Sequence, residues 1–342
     1  MSFEIQRLIV EKSALKEPLT EKILKRFSSL PVEYVDKAKS VKKGLKSSEL
    51  LIAANKGSFV KKCPGTPKYG CCDYYVLNLG IGCFYNCTYC YLHYYVNSPY
   101  FVFVNIEKAI AEVKQLCNRN PGKIIRLGSG EFIDSIGFNE IIDFNKVLVP
   151  KLSKIGNLLF EIKTKSSDVK SLLSLEHRGK VVVSFSVNSD EIANKEEKEA
   201  DSLQKRIEAA RLCQEAGYKI GFHFDPLIYY EGWQEGYRQV VDMIFKHIEP
   251  KNIAWISLGA LRFNKALKPV IQEKFPNSKI IYSELVPGID NKLRYFIAIR
   301  KKLFKTLVEN IKTHTKQVPV YLCMENKDLA DEVGAIAGFS LN

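Results

Sequence analysis

The sequence predicts an α/β fold, a partial (β/α)6 barrel of TIM type, and three observations carry that prediction. From residue 74 onward, short β-branched or aromatic runs alternate with segments of helical period. The runs are too apolar to be half exposed, which implies parallel strands covered by helices. Finally, the residues that look chemical fall just after the strands, on the edge where parallel barrels build active sites.

Taken in order, residues 1–60 are lysine-rich, with the run KAKSVKKGLKSSELL, and are expected to form an N-terminal helical extension. The barrel is expected over 61–260. Its strands are YYVLNL (74–79), KIIRL (123–127), NLLFEI (157–162), KVVVSFS (180–186), YKIGFHF (218–224) and NIAWISL (252–258). Six units are too few to close an eight-fold barrel, so the sheet should stay open. Among the helices, NIEKAIAEVKQLC (105–117) places Ile106, Ala109, Ile110, Val113, Leu116 and Cys117 on one face, with Asn105 as its cap. Residues 261–342 begin with basic stretches, then give a strand, VPVYLC (318–323), and a short helix. They are expected to form an appendage at the sheet edge that includes a hairpin and contacts nucleic acid.

A chain of 342 residues with 46% hydrophobic content can bury a large core, which excludes wholesale disorder. No apolar run reaches the roughly 18 residues of a membrane span. The first residues mix charge with apolar side chains, unlike a signal peptide. A cytoplasmic protein without membrane contact is the expectation. The net charge of +13 points to a polyanion partner. Lys62, Lys68, Arg262, Lys265, Lys268, Arg294, Arg300, Lys301 and Lys302 are candidates for phosphate contacts, although each taken singly also fits a solvated surface charge.

Nine cysteines, mostly bunched between Cys63 and Cys90, favour metal binding or catalysis over disulfides in a reducing compartment. Cys83, Cys87 and Cys90 form a C-x3-C-x2-C loop, GCFYNCTYCYLHYY. A structural zinc wants four ligands, which Cys71, Cys72 or His93 could complete. Three thiolates on a four-iron cluster would instead leave one iron open for a further ligand. The surrounding aromatics, Phe84, Tyr85, Tyr89, Tyr91, Tyr94, Tyr95, Tyr100 and Phe101, fit either packing or base stacking. His223 and Asp225 fit acid–base or cofactor contacts, and His223 equally fits a satisfied buried histidine. The two glycines of GIGCF suit a tight turn around the loop rather than a dinucleotide site.

The C-x3-C-x2-C loop after the first barrel strand resembles the cluster motif of the radical S-adenosylmethionine superfamily. There a [4Fe-4S] cluster with one open iron binds S-adenosylmethionine and cleaves it to a 5′-deoxyadenosyl radical. Within that superfamily the chain resembles the spore photoproduct lyase family over about residues 60–310. The resemblance rests on CTYCYL, KTKSSDVKSLLSLEHRGKVVVSFSVN, AGYKIGFHFDPLIYYEGWQEGYR, LRFNKALKPVIQEKFPNSK and KLRYF. It implies reversal of a UV-induced methylene bridge between thymines in DNA, with a flavodoxin or ferredoxin as reductant. By position it implies Cys83, Cys87 and Cys90 as cluster ligands, and Lys165 and Ser186 as S-adenosylmethionine contacts. Tyr89 and Tyr91 fall beside the cofactor and in a hydrogen relay, and Arg294 and Tyr295 on a hairpin that enters the duplex.

Two departures stand out. The family's hydrogen-donating cysteine follows the second strand, but here that segment reads RLGSGEFIDSIGFNE, and no cysteine occurs between Cys117 and Cys213. Those two are expected on helices as small core residues. Glu131 could hold an amino group, act as a base or serve as a helix-start charge. Asp225 stands where the family has a small residue near the cofactor. With the donor position changed, Tyr89, Tyr91, Cys63, Cys71 or Cys72 would have to supply the hydrogen, or the reaction differs. The other readings are radical modification of a peptide or RNA base, and a non-catalytic zinc-dependent nucleic-acid-binding protein.

Overall fold

In the computed structural model, which describes residues 5–38, 48–65, 69–70, 72–95, 100–339 and 341, six parallel strands stand side by side in sequence order. They are Tyr74–Leu77, Ile125–Gly128, Leu158–Thr164, Val181–Ser186, Lys219–Leu227 and Ile253–Ala260, the first to sixth barrel strands. The sheet is open, as expected. Val320–Leu322 and Ile336–Ala337 extend it in parallel beyond the sixth strand, and Val60–Lys62 lies antiparallel against the first.

The strands are buried on both faces, but the faces differ. One carries Leu127, Phe160, Ile162, Val183, Phe185, Phe222 and Ile256 into the main apolar core with the covering helices. The other carries an aromatic and polar plug. Arg126 lies 3.8 Å over the Trp255 ring, with Tyr74, Tyr321 and Phe339 around it. Its guanidinium donates to Glu161 at 3.2 Å and to the Tyr321 hydroxyl at 2.9 Å. Glu161 also accepts from Ser184 at 2.5 Å and meets His223 Nε2 at 2.7 Å. His223 is therefore a satisfied buried residue of this plug. The plug stops the strands from collapsing on themselves and sets the floor beneath their C-terminal rim.

Residues Ile106–Asn118 form the expected helix and bury Ile106, Ala109, Ile110, Val113 and Cys117. Asn105 does not cap it. Its amide instead bonds the backbone of Asn55 through Oδ1 at 2.8 Å and Nδ2 at 3.1 Å, fastening the helix start to the preceding segment. Cys117 and Cys213 are buried on helices, as expected.

The helical extension expected over 1–60 is corrected by the structure. Among the described residues there, Pro18–Arg26 is an α-helix, while Arg7–Glu11, Val32–Val35 and Glu49–Ala53 are parallel strands. Joined by Tyr100–Phe103 and Gly80–Ile81, they make a second, five-stranded sheet. Leu8, Val10, Leu50 and Ile52 enter the main core, and Ile9 and Leu51 pack on the opposite face. Runs as short as RLIVE and ELLIA do not reveal their period, and the intervening lysines read as helix. Part of the lysine run, residues 39–47, lies outside the described residues.

Beyond the barrel, Arg262–Asn264, Lys292–Tyr295 and Leu285–Pro287 form an antiparallel sheet that contains the expected hairpin. Among the described residues, no helix is long and apolar enough to cross a membrane. Gly80–Ile81 joins the two sheets immediately before the cysteine loop, and a Cβ at Gly80 would sit 2.4 Å from the Phe101 carbonyl oxygen. Gly80→Ala should therefore lower unfolding free energy by about 1–3 kcal/mol, read as a reduced urea midpoint with an unchanged slope.

Candidate active site at the barrel rim

The cysteine loop leaves the second sheet at Ile81 and turns at Gly82, whose φ of 111° favours glycine. The Gly82 N–H donates to the Phe132 carbonyl at 2.9 Å, which pins the loop to the segment after the second strand. The tight turn expected of GIGCF is thus observed. Further along, the Cys90 N–H donates to the Cys87 carbonyl at 3.0 Å, and His93 Nε2 lies 2.9 Å from that carbonyl. That contact ties His93 to the loop's backbone.

Burial pushes all three thiols up, Cys87 to about 12. Cys83 also feels Cys87 and Cys90, so the three sulfurs share one electrostatic neighbourhood. Lys165 opposes this rise at Cys87 and Cys90. Three buried or half-buried thiols beside an ammonium form a donor set suited to an iron–sulfur cluster, whose bound thiolates the positive charge would stabilise. Among the described residues, no three His, Cys, Asp or Glu side chains stand close enough to share a single metal ion. The zinc site considered from the sequence therefore has no counterpart there, with Cys71 outside the described residues.

Two consecutive glutamates lock the loop onto the barrel. Thr88 donates through its N–H to the Glu196 carbonyl at 2.9 Å and through its hydroxyl to the Glu196 carboxylate. The Tyr89 hydroxyl donates to Glu197. Glu197 in turn pairs with Arg206 at 2.6 Å, and both side chains are almost wholly buried. Burial raises the Glu197 carboxyl, but Lys165 and Arg206 outweigh it and hold it below the usual carboxylate range. Arg206 Nη1 donates to the Ser186 carbonyl at 2.9 Å, so the loop, the helices after the fourth strand and the fourth strand's end move as one body.

Lys165 and Ser186 lie at the third and fourth strand ends as the sequence suggested, and the Lys165 ammonium stands 5.9 Å over the Tyr89 ring. Asp134 was not singled out from the sequence. Its carboxylate accepts from the Thr164 hydroxyl at 2.6 Å and from the N–H groups of Ile136, Gly137 and Lys165 at 3.0, 2.9 and 2.8 Å. It thereby sets the backbone from which Lys165 reaches the loop. No sequence signal marked it. Arg206 did leave one, because it shares a helix face with the buried Leu203, Ile207 and Ala210.

A second set of charges crosses the mouth. Glu131 pairs with Lys163, and its backbone carbonyl accepts from the Tyr91 hydroxyl at 2.6 Å. Lys163 also feels Asp225. Burial raises the Asp225 carboxyl, yet Arg262 first, then Lys163 and His223, bring it below its ordinary value. Arg262 grips both oxygens of Asp225, at 3.1 and 3.0 Å, and its Nη2 reaches Cys323 Sγ at 3.4 Å. A Cβ at Gly259 would come within 2.6 Å of the Asp225 carboxylate, so glycine there makes room for the pair.

The residues expected to contact nucleic acid divide. Lys265 is exposed, and Arg262 points into the mouth instead of outward. Arg294 and Tyr295 are corrected: both are buried. Arg294 pairs with Asp290 at 2.6 Å and lies 4.7 Å over the Tyr69 ring, and the Tyr295 hydroxyl accepts from the Tyr229 N–H at 3.1 Å. They fasten the hairpin to the barrel. Large apolar side chains exposed in that region include Val286, Ile289, Phe296 and Ile297. Of the aromatic set, Phe84 packs between Tyr100 and Phe138, both at 4.3 Å, whereas Tyr91, Tyr94 and Tyr95 are exposed beside the mouth. Lys68 lies outside the described residues.

Residues 3–286 match the family model described as spore photoproduct lyase. The spore photoproduct lyase of Bacillus subtilis is 30% identical over 216 residues, and that of a Geobacillus strain 29% over 214. Each alignment covers 61% of this chain and 63% of the relative, so the matched part spans less than two thirds of those proteins. The solved structure of spore photoproduct lyase complexed with dinucleoside spore photoproduct superposes with a TM-score of 0.82 at 23% identity, over 94% of this chain and all of that one. At that identity the superposition speaks to the fold, and it agrees with the open barrel described above. With its sequence matched by the family model over most of its length, the chain belongs to the spore photoproduct lyase family.

Proposed function

We propose that this protein is a radical S-adenosylmethionine lyase that reverses the methylene-bridged thymine photoproduct in DNA. The observation that carries the reading is the rim itself: Cys83, Cys87 and Cys90 are held together, with Lys165 beside them and Tyr89 beneath its ammonium. When bound, a [4Fe-4S] cluster with S-adenosylmethionine would supply a 5′-deoxyadenosyl radical. A related spore photoproduct lyase has been solved with AdoMet and dinucleoside spore photoproduct bound.

The chain's own residues would then do the following. The three thiolates would hold the cluster, and Lys165 would offset their negative charge. Lys165, Ser186 and Tyr89 would orient S-adenosylmethionine, with Glu197 and Arg206 fixing Tyr89 and the Ser186 backbone. Lys163, Glu131, Asp225 and Arg262 would face the lesion across the mouth, where the carbonyl and N–H groups of two linked thymine bases would find donors and acceptors. Exposed Lys265 and the net charge of +13 favour a phosphate backbone nearby. The electron donor fits a flavodoxin or ferredoxin, and the setting is the cytoplasm.

The reading is tested by anaerobic reconstitution with iron, sulfide, S-adenosylmethionine and dithionite, followed by addition of the dinucleoside lesion. Restored thymine alongside 5′-deoxyadenosine is the expected result by mass spectrometry. Deoxyadenosine without thymine would redirect the reading to another substrate, and colourless protein holding one zinc would overturn it.

Removing one partner of the Glu197–Arg206 pair leaves a buried, uncompensated charge. Glu197→Ala should therefore cost about 3–5 kcal/mol in chemical denaturation and reduce iron retained after reconstitution. Glu197→Gln, which can still accept from Tyr89, should recover part of the iron.

A further inference from the structure

Resting on the lesion-reversal reading, we propose that Cys323 is the hydrogen-atom donor of this enzyme, acting from the wall of the mouth opposite Glu131. The need for a donor follows from bookkeeping: a hydrogen atom removed from the lesion must be replaced before both thymines are whole. Glu131 occupies the segment after the second strand, and a carboxylate paired with Lys163 has no hydrogen atom to give. A thiol S–H bond is weak enough to serve a carbon radical.

Outside the loop, Cys63, Cys72 and Cys323 are the partly exposed cysteines among the described residues, and Cys323 is preferred for the tie between its sulfur and an arginine of the mouth. Cys83, Cys87 and Cys90 are committed to the loop. Cys117 and Cys213 are buried on helices and belong to the apolar core. Cys323 sits one residue beyond the Val320–Leu322 strand, and its N–H donates to the Leu258 carbonyl at 2.8 Å, continuing the ladder onto the rim. It is partly exposed. Arg262 fixes the sulfur at 3.4 Å while gripping Asp225, the residue that feels Lys163 across the mouth. The thiol therefore stands at one end of a continuous line, Tyr91–Glu131–Lys163–Asp225–Arg262–Cys323, that spans the opening. Cys63 lies within electrostatic reach of both ends, Tyr91 and Cys323. Burial raises the Cys323 thiol despite the opposing charge of Arg262, so the sulfur keeps its hydrogen at neutral pH.

The step balances simply. The S–H bond of Cys323 breaks, a C–H bond forms at the thymine-centred radical, and a thiyl radical remains. That radical recovers a hydrogen atom from 5′-deoxyadenosine, which holds the atom taken from the lesion, so no outside reductant is consumed.

The test is turnover of the dinucleoside lesion by the reconstituted enzyme in deuterated buffer, where a thiol exchanges its hydrogen and a carbon does not. Wild-type enzyme should return thymine carrying one solvent deuterium. Cys323→Ala should form at least ~10-fold less thymine while still making 5′-deoxyadenosine and retaining wild-type iron content. The double variant Cys323→Ala with Glu131→Cys, which restores a thiol after the second strand, should recover thymine and its deuterium, a rescue that a purely structural role for Cys323 would not permit. Unchanged thymine yield and labelling in Cys323→Ala would overturn the assignment and leave lesion reversal standing. Absence of thymine from wild-type enzyme would overturn lesion reversal, and the Cys323 assignment with it.

Discussion

The buried Glu197–Arg206 ion pair is the constraint on which the rest of this site depends. Two charges removed from water gain little net stability over an apolar pair of the same size, so the pair is better understood through what it positions. Glu197 holds the Tyr89 hydroxyl and Arg206 holds the Ser186 carbonyl. A loop that would otherwise be a mobile excursion is thereby referenced to a rigid strand end. Glu196 adds a second tie through Thr88, and also accepts from Ser278 at 2.8 Å, drawing in the segment after the sixth strand. The middle of the cysteine loop and the fourth strand's end are thus fixed to the same few buried groups.

The plug under the rim has a related role at the level of the sheet. Arg126 is fully enclosed, and two of its nitrogens find no acceptor, nor does the Trp255 indole N–H. The aromatic faces around the guanidinium offset part of that cost, since a cation over Trp is worth more when desolvated. With Glu161 collecting Arg126, Ser184 and His223, the inside of the half-barrel is filled by directional contacts that join the second, third, fourth, fifth and sixth strands. An apolar filling could slide. This one fixes relative strand heights, and hence the heights at which Glu131, Lys163, Ser186 and Asp225 emerge.

Legibility from the sequence followed the range of the interactions. All six barrel strands could be read because parallel strands buried on both faces leave dense apolar runs, and the cysteine loop because ligand spacing is local. The N-terminal strands could not, since RLIVE and ELLIA are short and pair with segments distant in sequence, RLIVE with Val32–Val35 and ELLIA, and ELLIA with Tyr100–Phe103 some fifty residues further on. Arg294 and Tyr295 were misplaced for the same reason: their exposure depends on Asp290, Tyr69 and Tyr229, contacts that no local pattern announces. Asp134 and Cys323 carry their meaning wholly in the tertiary structure.

With Cys323 as the proposed donor, a mouth assembled from strand ends would accommodate a reactive group on a different strand. In a parallel sheet, every C-terminal strand end opens on the same space, so a thiol lost from the second strand's loop can be replaced from a strand at the far edge without altering the barrel. Glu131 places a negative group after the second strand, Lys163 neutralises it, and Asp225 and Arg262 continue the alternation of sign towards Cys323. Arg262 is central to that arrangement: one guanidinium neutralises Asp225 and orients Cys323, and Gly259 is bare because any side chain there would collide with both partners of the ion pair. The acidic residue after the second strand, the acidic residue at the fifth and the cysteine just beyond Val320–Leu322 are therefore parts of a single electrostatic arrangement.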